Sequence, residues 1–136
     1  MKEGGGIPVR KFIKIILGAI FLLVFIIGGA GFYMTRGINS GENMIINPID
    51  ASQLKDGVYN GIYNGGRWSN EVNVTLNDKK ITQIAIVKSV VFEKPEVSRE
   101  LINKVIQKQD TNVDVIGGAT VTSKAYLKSI ENALSK

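Results

Sequence analysis

The residues best suited to chemistry stand together in one run, Asp114-Val115-Ile116-Gly117-Gly118-Ala119-Thr120-Val121-Thr122-Ser123. Three small residues lead into closely spaced hydroxyls at the mouth of what reads as a final helix. Thr122 or Ser123 is placed to cap that helix by accepting from its first N–H groups. Gly117 and Gly118 allow unusual backbone dihedrals and let another group come close to the chain. A helix start flanked by glycines also offers free N–H groups and the positive end of the macrodipole to an anion, of which phosphate is the commonest. On these residues alone a plain Gly-Gly turn with a Ser/Thr cap is the commoner arrangement, and the run by itself leaves both readings open. The rest of the composition narrows the choice. The chain has no Cys and no His, which excludes a thiolate nucleophile, an iron–sulfur cluster, a disulfide framework, a Ser-His-Asp triad and the usual catalytic zinc site. Redox or hydrolytic chemistry must rest on carboxylates, hydroxyls or a bound organic cofactor.

The elements around the run can be read from hydrophobic spacing. Tyr126, Leu127, Ile130, Ala133 and Leu134 form an inner stripe on a helix over about 123–134. Pro95 and Glu96 suit a helix start, and Val97, Leu101 and Val105, flanked by Ile102 and Ile106, follow at helical spacing. Upstream, Val72, Val74 and Leu76 alternate with polar residues, Asp78-Lys79-Lys80 makes a turn, and 81–87 returns as a β-branched strand. Val58, Tyr59, Ile62 and Tyr63 read as a shorter strand interrupted at Asn60-Gly61. Strands first and helices after make an α+β domain, with two helices packed on a small antiparallel sheet. This domain occupies 53–136, enough chain for one modest core.

The remainder of the chain concerns location. Residues 15–35 carry no charge and are mostly Ile, Leu, Val, Phe, Gly and Ala. At ~1.5 Å rise per residue such a helix spans roughly 30 Å, the hydrocarbon thickness of a bilayer. Residues 1–14 are a basic leader with Arg10, Lys11 and Lys14, and 36–52, rich in Gly, Asn and Ser, read as a linker. The positive-inside rule puts the N-terminus in the cytoplasm and the domain outside, as a single-pass protein of the cell membrane. A cleaved signal peptide is the rival, with Gly28-Gly29-Ala30 as its cleavage site. The run continues through Phe32, Tyr33 and Met34, which favours an uncleaved transmembrane helix. Of the formal charge of +5, residues 1–36 contribute +4 and residues 37–136 only +1. The basic balance is therefore a topology signal, and no nucleic-acid partner is expected.

The stretch from Val113 to Ser123 resembles the flavinylation motif of the FMN-binding domain family, which includes subunits of the sodium-translocating NADH:quinone reductase and of Rnf electron-transport complexes. Asp56-Gly57-Val58-Tyr59-Asn60-Gly61 is similar to the family's opening strand, and 72–87 to its central hairpin. The resemblance covers about 54–135. It implies FMN held covalently, through a phosphoester to the hydroxyl of Thr120, with the bond made by a separate FAD:protein FMN transferase. It makes Gly117, Gly118, Ala119, Thr122 and Ser123 part of the cofactor-binding segment. Asp114 is then either part of what the transferase recognises or only a turn-former. The family's usual Ser/Thr three places before the acceptor is Gly117 here, and the hairpin turn lacks the usual Gly. Trp68, Tyr59, Tyr63, Phe92 and Tyr126 are aromatic enough to shield a flavin ring, Trp68 foremost because it follows Gly65-Gly66-Arg67 in an expected loop; Arg67 reads as solvated. The function implied is that of an extracytoplasmic electron carrier, an electron-transfer component more than a complete enzyme. A membrane donor (quinol or an NADH dehydrogenase) would feed it and an extracytoplasmic acceptor would drain it. The rival is an exported ligand-binding or interaction domain with noncovalent FMN or no cofactor.

Overall fold

The computed structural model describes residue 6 and residues 8–135. The chain divides into two compact units, with the boundary between Arg36 and Gly37.

The first unit is a single helix, α1 (Val9–Thr35), none of whose residues is buried. Its 27 residues reach roughly 40 Å, against a bilayer hydrocarbon core of about 30 Å. The helix is long and apolar enough to cross a membrane. It begins before the uncharged run, so Arg10, Lys11 and Lys14 lie on its first turns.

The second unit is built on a three-stranded antiparallel sheet in the order β1-β2-β3, with β1 Gly57–Tyr63, β2 Asn70–Asn77 and β3 Lys80–Lys88. Helix α3 (Pro95–Lys108) lies against β3, and helix α4 (Thr120–Leu134) lies against β1 and β2 and touches α3. This is the α+β arrangement that the spacing of apolar residues implies. Val72, Val74, Leu76, Ile81 and Ile84 of the sheet meet Leu101 and Val105 of α3 and the whole inner stripe of α4 in one core. Each such side chain contributes about 1.5–3 kcal/mol by leaving water. The partners Leu76↔Ile81, Val74↔Ile84 and Val72↔Ile86 keep the apolar residues of β3 on the helix side. A bulge opposite Thr75/Leu76 makes this possible, since one extra residue restores the alternation.

Strand β1 differs from its sequence reading. Asn60-Gly61 does not interrupt it: the pairing with β2 is continuous from Gly57↔Leu76 to Tyr63↔Asn70. Gly61 has another purpose, because a Cβ there would stand 1.9 Å from the carbonyl oxygen of Ser129 and 2.7 Å from the Ala133 methyl. The missing side chain is what lets α4 lie directly on the strand.

The hairpin turn also works without glycine. Asp78 and Lys79 both take left-handed dihedrals, φ 50° and 59°. The Asp56 carboxylate accepts from both of their backbone N–H groups, at 3.0 and 2.9 Å, and so supports a turn that Gly or Asn would normally supply.

Residues 37–52 pack on this unit. They contain helix α2 (Ile38–Glu42) and a 3₁₀ turn, Ala51–Gln53. Asn47 donates to both oxygens of Glu131 on α4, from its N–H at 3.1 Å and its amide at 2.9 Å. Thr111 donates to the Asn47 carbonyl at 2.7 Å, and Asp110 accepts from the Ile49 N–H at 3.1 Å. The compact unit therefore starts at Gly37, well before residue 53.

Candidate functional site

The site is the start of α4. The helix begins at Thr120, three residues ahead of the sequence expectation. Gly118 takes φ +75°, which turns the chain sharply enough for the Ala119 N–H to reach the Ile116 carbonyl at 3.0 Å. The Ser123 N–H then donates to the Ala119 carbonyl at 2.8 Å, the first helical bond.

Neither expected cap serves as one. The N-cap residue is Ala119, and no side chain accepts from the first turn. Ser123 is fully buried and its Oγ accepts from the Ile116 N–H at 3.1 Å, stapling the loop to the helix from below. Thr122 is half-buried and lines a hollow with Phe92, Lys94 and Gly118. The correction follows from the early start: a residue inside the first turn cannot fold back on N–H groups of its own turn as an N-cap does. Among the described residues no side-chain cap serves the N–H groups of Thr120, Val121 and Thr122, and no acidic residue lies in the first turn.

Around this start the surface is open. Thr120 is exposed at the first helical position. A Cβ at Gly117 or Gly118 would find no atom within 4 Å. A cleft of about 400 Å³ runs along it, lined by Arg67, Trp68, Gly118, Ala119, Thr120 and Thr122 among others.

Arg67 is not solvated. Its guanidinium carbon lies 4.1 Å from the Trp68 ring centroid and 5.8 Å from that of Phe92, a half-buried cation held on two aromatic rings. It adds positive charge to the cleft that already receives the N-terminal dipole of α4.

The aromatic residues separate into two groups. Trp68, in the 3₁₀ turn Gly66–Trp68, is 7% exposed and belongs to the core while lining the cleft. Phe92 is 59% exposed beside Thr122 and is the accessible ring. Tyr126 is buried; burial pushes its phenol up, the nearby Glu93 pushes the same way, and its oxygen accepts from the Val90 N–H at 3.3 Å. Tyr59 donates to the Lys55 carbonyl, and Tyr63 packs on Gly65. These three tyrosines are structural.

Asp114 is not brought to the cleft. It is exposed and lines a different groove with Lys104, Lys108 and Asn112. Sequence reasoning missed Lys94, whose place beside Gly118 and Thr122 is set by the loop before α3. Its position just ahead of Pro95 was the available signal.

Uncapped N–H groups, a positive dipole end, an accessible hydroxyl and a half-buried guanidinium give the cleft the donors and charge that suit an anion. The FMN-binding domain family model matches residues 66–135, more than half of the chain, and the chain belongs to that family. No curated protein matches it. The residues present fit FMN, because the open helix start suits a phosphate and the exposed Phe92 ring beside Arg67 suits a flat ring system.

Proposed function

We propose that the protein is a membrane-anchored extracytoplasmic flavoprotein whose FMN is phosphoester-linked to Thr120, and that it carries electrons. The observation that supports this most directly is the exposed Thr120 hydroxyl at an uncapped helix start with open space on both preceding glycines. A phosphate joined there would lie beside three free N–H groups and the dipole end. In forming the bond, Thr120 gives up its hydroxyl proton and takes the FMN group from FAD, which leaves as AMP; an FAD:protein FMN transferase would catalyse the exchange. FMN supplies one- and two-electron redox chemistry when bound. The chain's own part is to fix the phosphate at α4, to hold a cation near the ring with Arg67, and to limit water with Trp68 and Phe92. Helix α1 serves as the anchor, and the basic residues on its first turns favour a cytoplasmic N-terminus. A membrane donor, quinol or an NADH dehydrogenase, and an extracytoplasmic acceptor complete the reading.

The test is Thr120→Val, which keeps the side-chain volume and removes the only atom at that position able to be esterified. Coexpressed with a transferase, wild type should gain the mass of FMN less one water and fluoresce in a denaturing gel. Thr120→Val should do neither, whereas Thr122→Val should do both. Flavin retained on Thr120→Val would refute the site.

A further inference from the structure

The stretch just after α1 lies outside the residues matched by the family model, which begin at 66, yet it takes part in the cleft. Ile38 and Glu42 of α2 line the same 400 Å³ space as Thr120 and Arg67. Gly37, just before α2, abuts the Trp68 ring: a Cβ there would lie 3.5 Å from it. The placement of α2 is fixed by α4 itself. Gly41 is buried so tightly on Val121 that a Cβ would stand 2.3 Å from a Val121 methyl. The Lys124 ammonium donates to the Glu42 carbonyl, and Lys128 to that of Ile45. Asn47 ties the end of the segment to Glu131.

The helix that offers Thr120 therefore also positions α2, through Val121, the residue next to the acceptor. An open cleft leaves a flat apolar ring system half in water unless something covers it. Trp68 is almost wholly buried and has little face to give. Ile38 is a half-buried aliphatic side chain on the cleft.

We propose that α2 is a wall of the flavin site, with Ile38 covering the ring and Glu42 setting a negative charge that weakens the hold on the phosphate. This rests on the reading that FMN occupies the cleft beside Thr120.

The experiment uses the full chain in detergent, made without a transferase, and free FMN as the probe. Flavin fluorescence and its quenching by iodide are followed during titration, and the unfolding temperature is measured separately. Ile38→Ala should weaken FMN binding about fivefold, as loss of part of an aliphatic contact does, and should expose the bound flavin to iodide. Ile38→Leu should restore both. Glu42→Gln should tighten binding about twofold, the scale of one screened charge near the surface. Glu42→Gln should leave the unfolding temperature unchanged, whereas Ile38→Ala should lower it modestly because Ile38 also packs against the core, and Ile38→Leu should restore it. Equal affinity and equal iodide quenching in wild type, Ile38→Ala and Glu42→Gln would overturn the proposal. Intact mass after coexpression with a transferase separates this from the covalent reading. Flavin on Thr120 together with indifference to Ile38 removes the wall and keeps the linkage. Binding that depends on Ile38 in a chain that never takes covalent flavin keeps the wall and removes the linkage.

Discussion

Helices α3 and α4 have nearly the same length, 14 and 15 residues, and pack in one core, but their starts differ in how they treat the helix dipole. At α3, Pro95 at the start has no N–H to satisfy, Glu96 sets a carboxylate in the first turn, and the Ser98 hydroxyl donates to Glu93. That start too lacks a side-chain cap, but Pro95 removes one N–H and the Val97 N–H donates to the Lys94 carbonyl at 2.9 Å. At α4 the cap position is an alanine, the first turn holds no acid, and the two residues ahead are glycines with open space around them. An uncapped start costs about 1 kcal/mol relative to a Ser or Asp cap, and at α4, unlike α3, no first-turn carboxylate offsets the dipole. This difference separates the two helices more clearly than their hydrophobic faces do.

The largest effect should come from the seat of α4. Gly61→Ala puts a methyl inside contact distance of the Ser129 carbonyl, lifting α4 at a cost of about 3 kcal/mol. Denaturant unfolding should show the loss, and flavin loading should fall with it; an unshifted midpoint would mean that the start of α4 does not depend on its seat.

Exchanging the two starts tests the comparison itself. Thr122→Asp gives α4 the acidic first turn of α3 and should stabilise the fold by ~0.5 kcal/mol while sharply reducing flavin loading, because a carboxylate takes the phosphate's place. Glu96→Gln should cost a similar ~0.5 kcal/mol and leave loading alone. Normal loading of Thr122→Asp, read by intact mass, would show that the open N–H groups do not hold the phosphate.

The far end of α4 is held as firmly as its start is open. Burial pushes the Glu131 carboxyl up, but hydrogen bonds from Lys128 and from the Asn47 amide and N–H, with the Lys128 charge, outweigh it and hold the carboxyl below its ordinary value of 4.5. A depressed folded-state pKa stabilises above the unfolded value and is lost as pH falls. Thermal stability should therefore decline below pH 4.5, and Glu131→Gln should lose stability at neutral pH and show a shallower acid decline.

The smallest effects distinguish two adjacent glycines. Gly117→Ser meets open space without positive φ, so stability should move by no more than about 0.5 kcal/mol, and flavinylation should rise as the family's usual residue type returns. Gly118→Ala, at φ +75°, should cost about 1 kcal/mol. Equal costs at the two positions in urea unfolding would contradict the backbone assignment.

Much of the molecule was legible in the chain. Period-two alternation in 72–77 and the stripe from Tyr126 to Leu134 depend only on which residues are apolar, and both recur as the buried faces of β2 and α4. The motif from Asp114 to Ser123 was legible as glycines leading into hydroxyls, and it forms the turn and first residues of α4. Asp114 and Arg67 show where that reasoning stops. One is near the acceptor in sequence and on another groove in space. The other reads as solvated from the sequence and is held on two rings.

By itself the sequence determined most of the elements and the apolar span, which follow from residue type and local spacing, and the resemblance of residues 113–123 to a known motif singled out Thr120. Only the tertiary structure decided that Gly61 is a contact and not a break, that α4 begins uncapped at Thr120, and that residues 37–47 strap the domain and reach the cleft. Each of these depends on which atoms far apart in the chain come within a few ångströms, as Asn47 does with Glu131, and local composition carries no record of that distance.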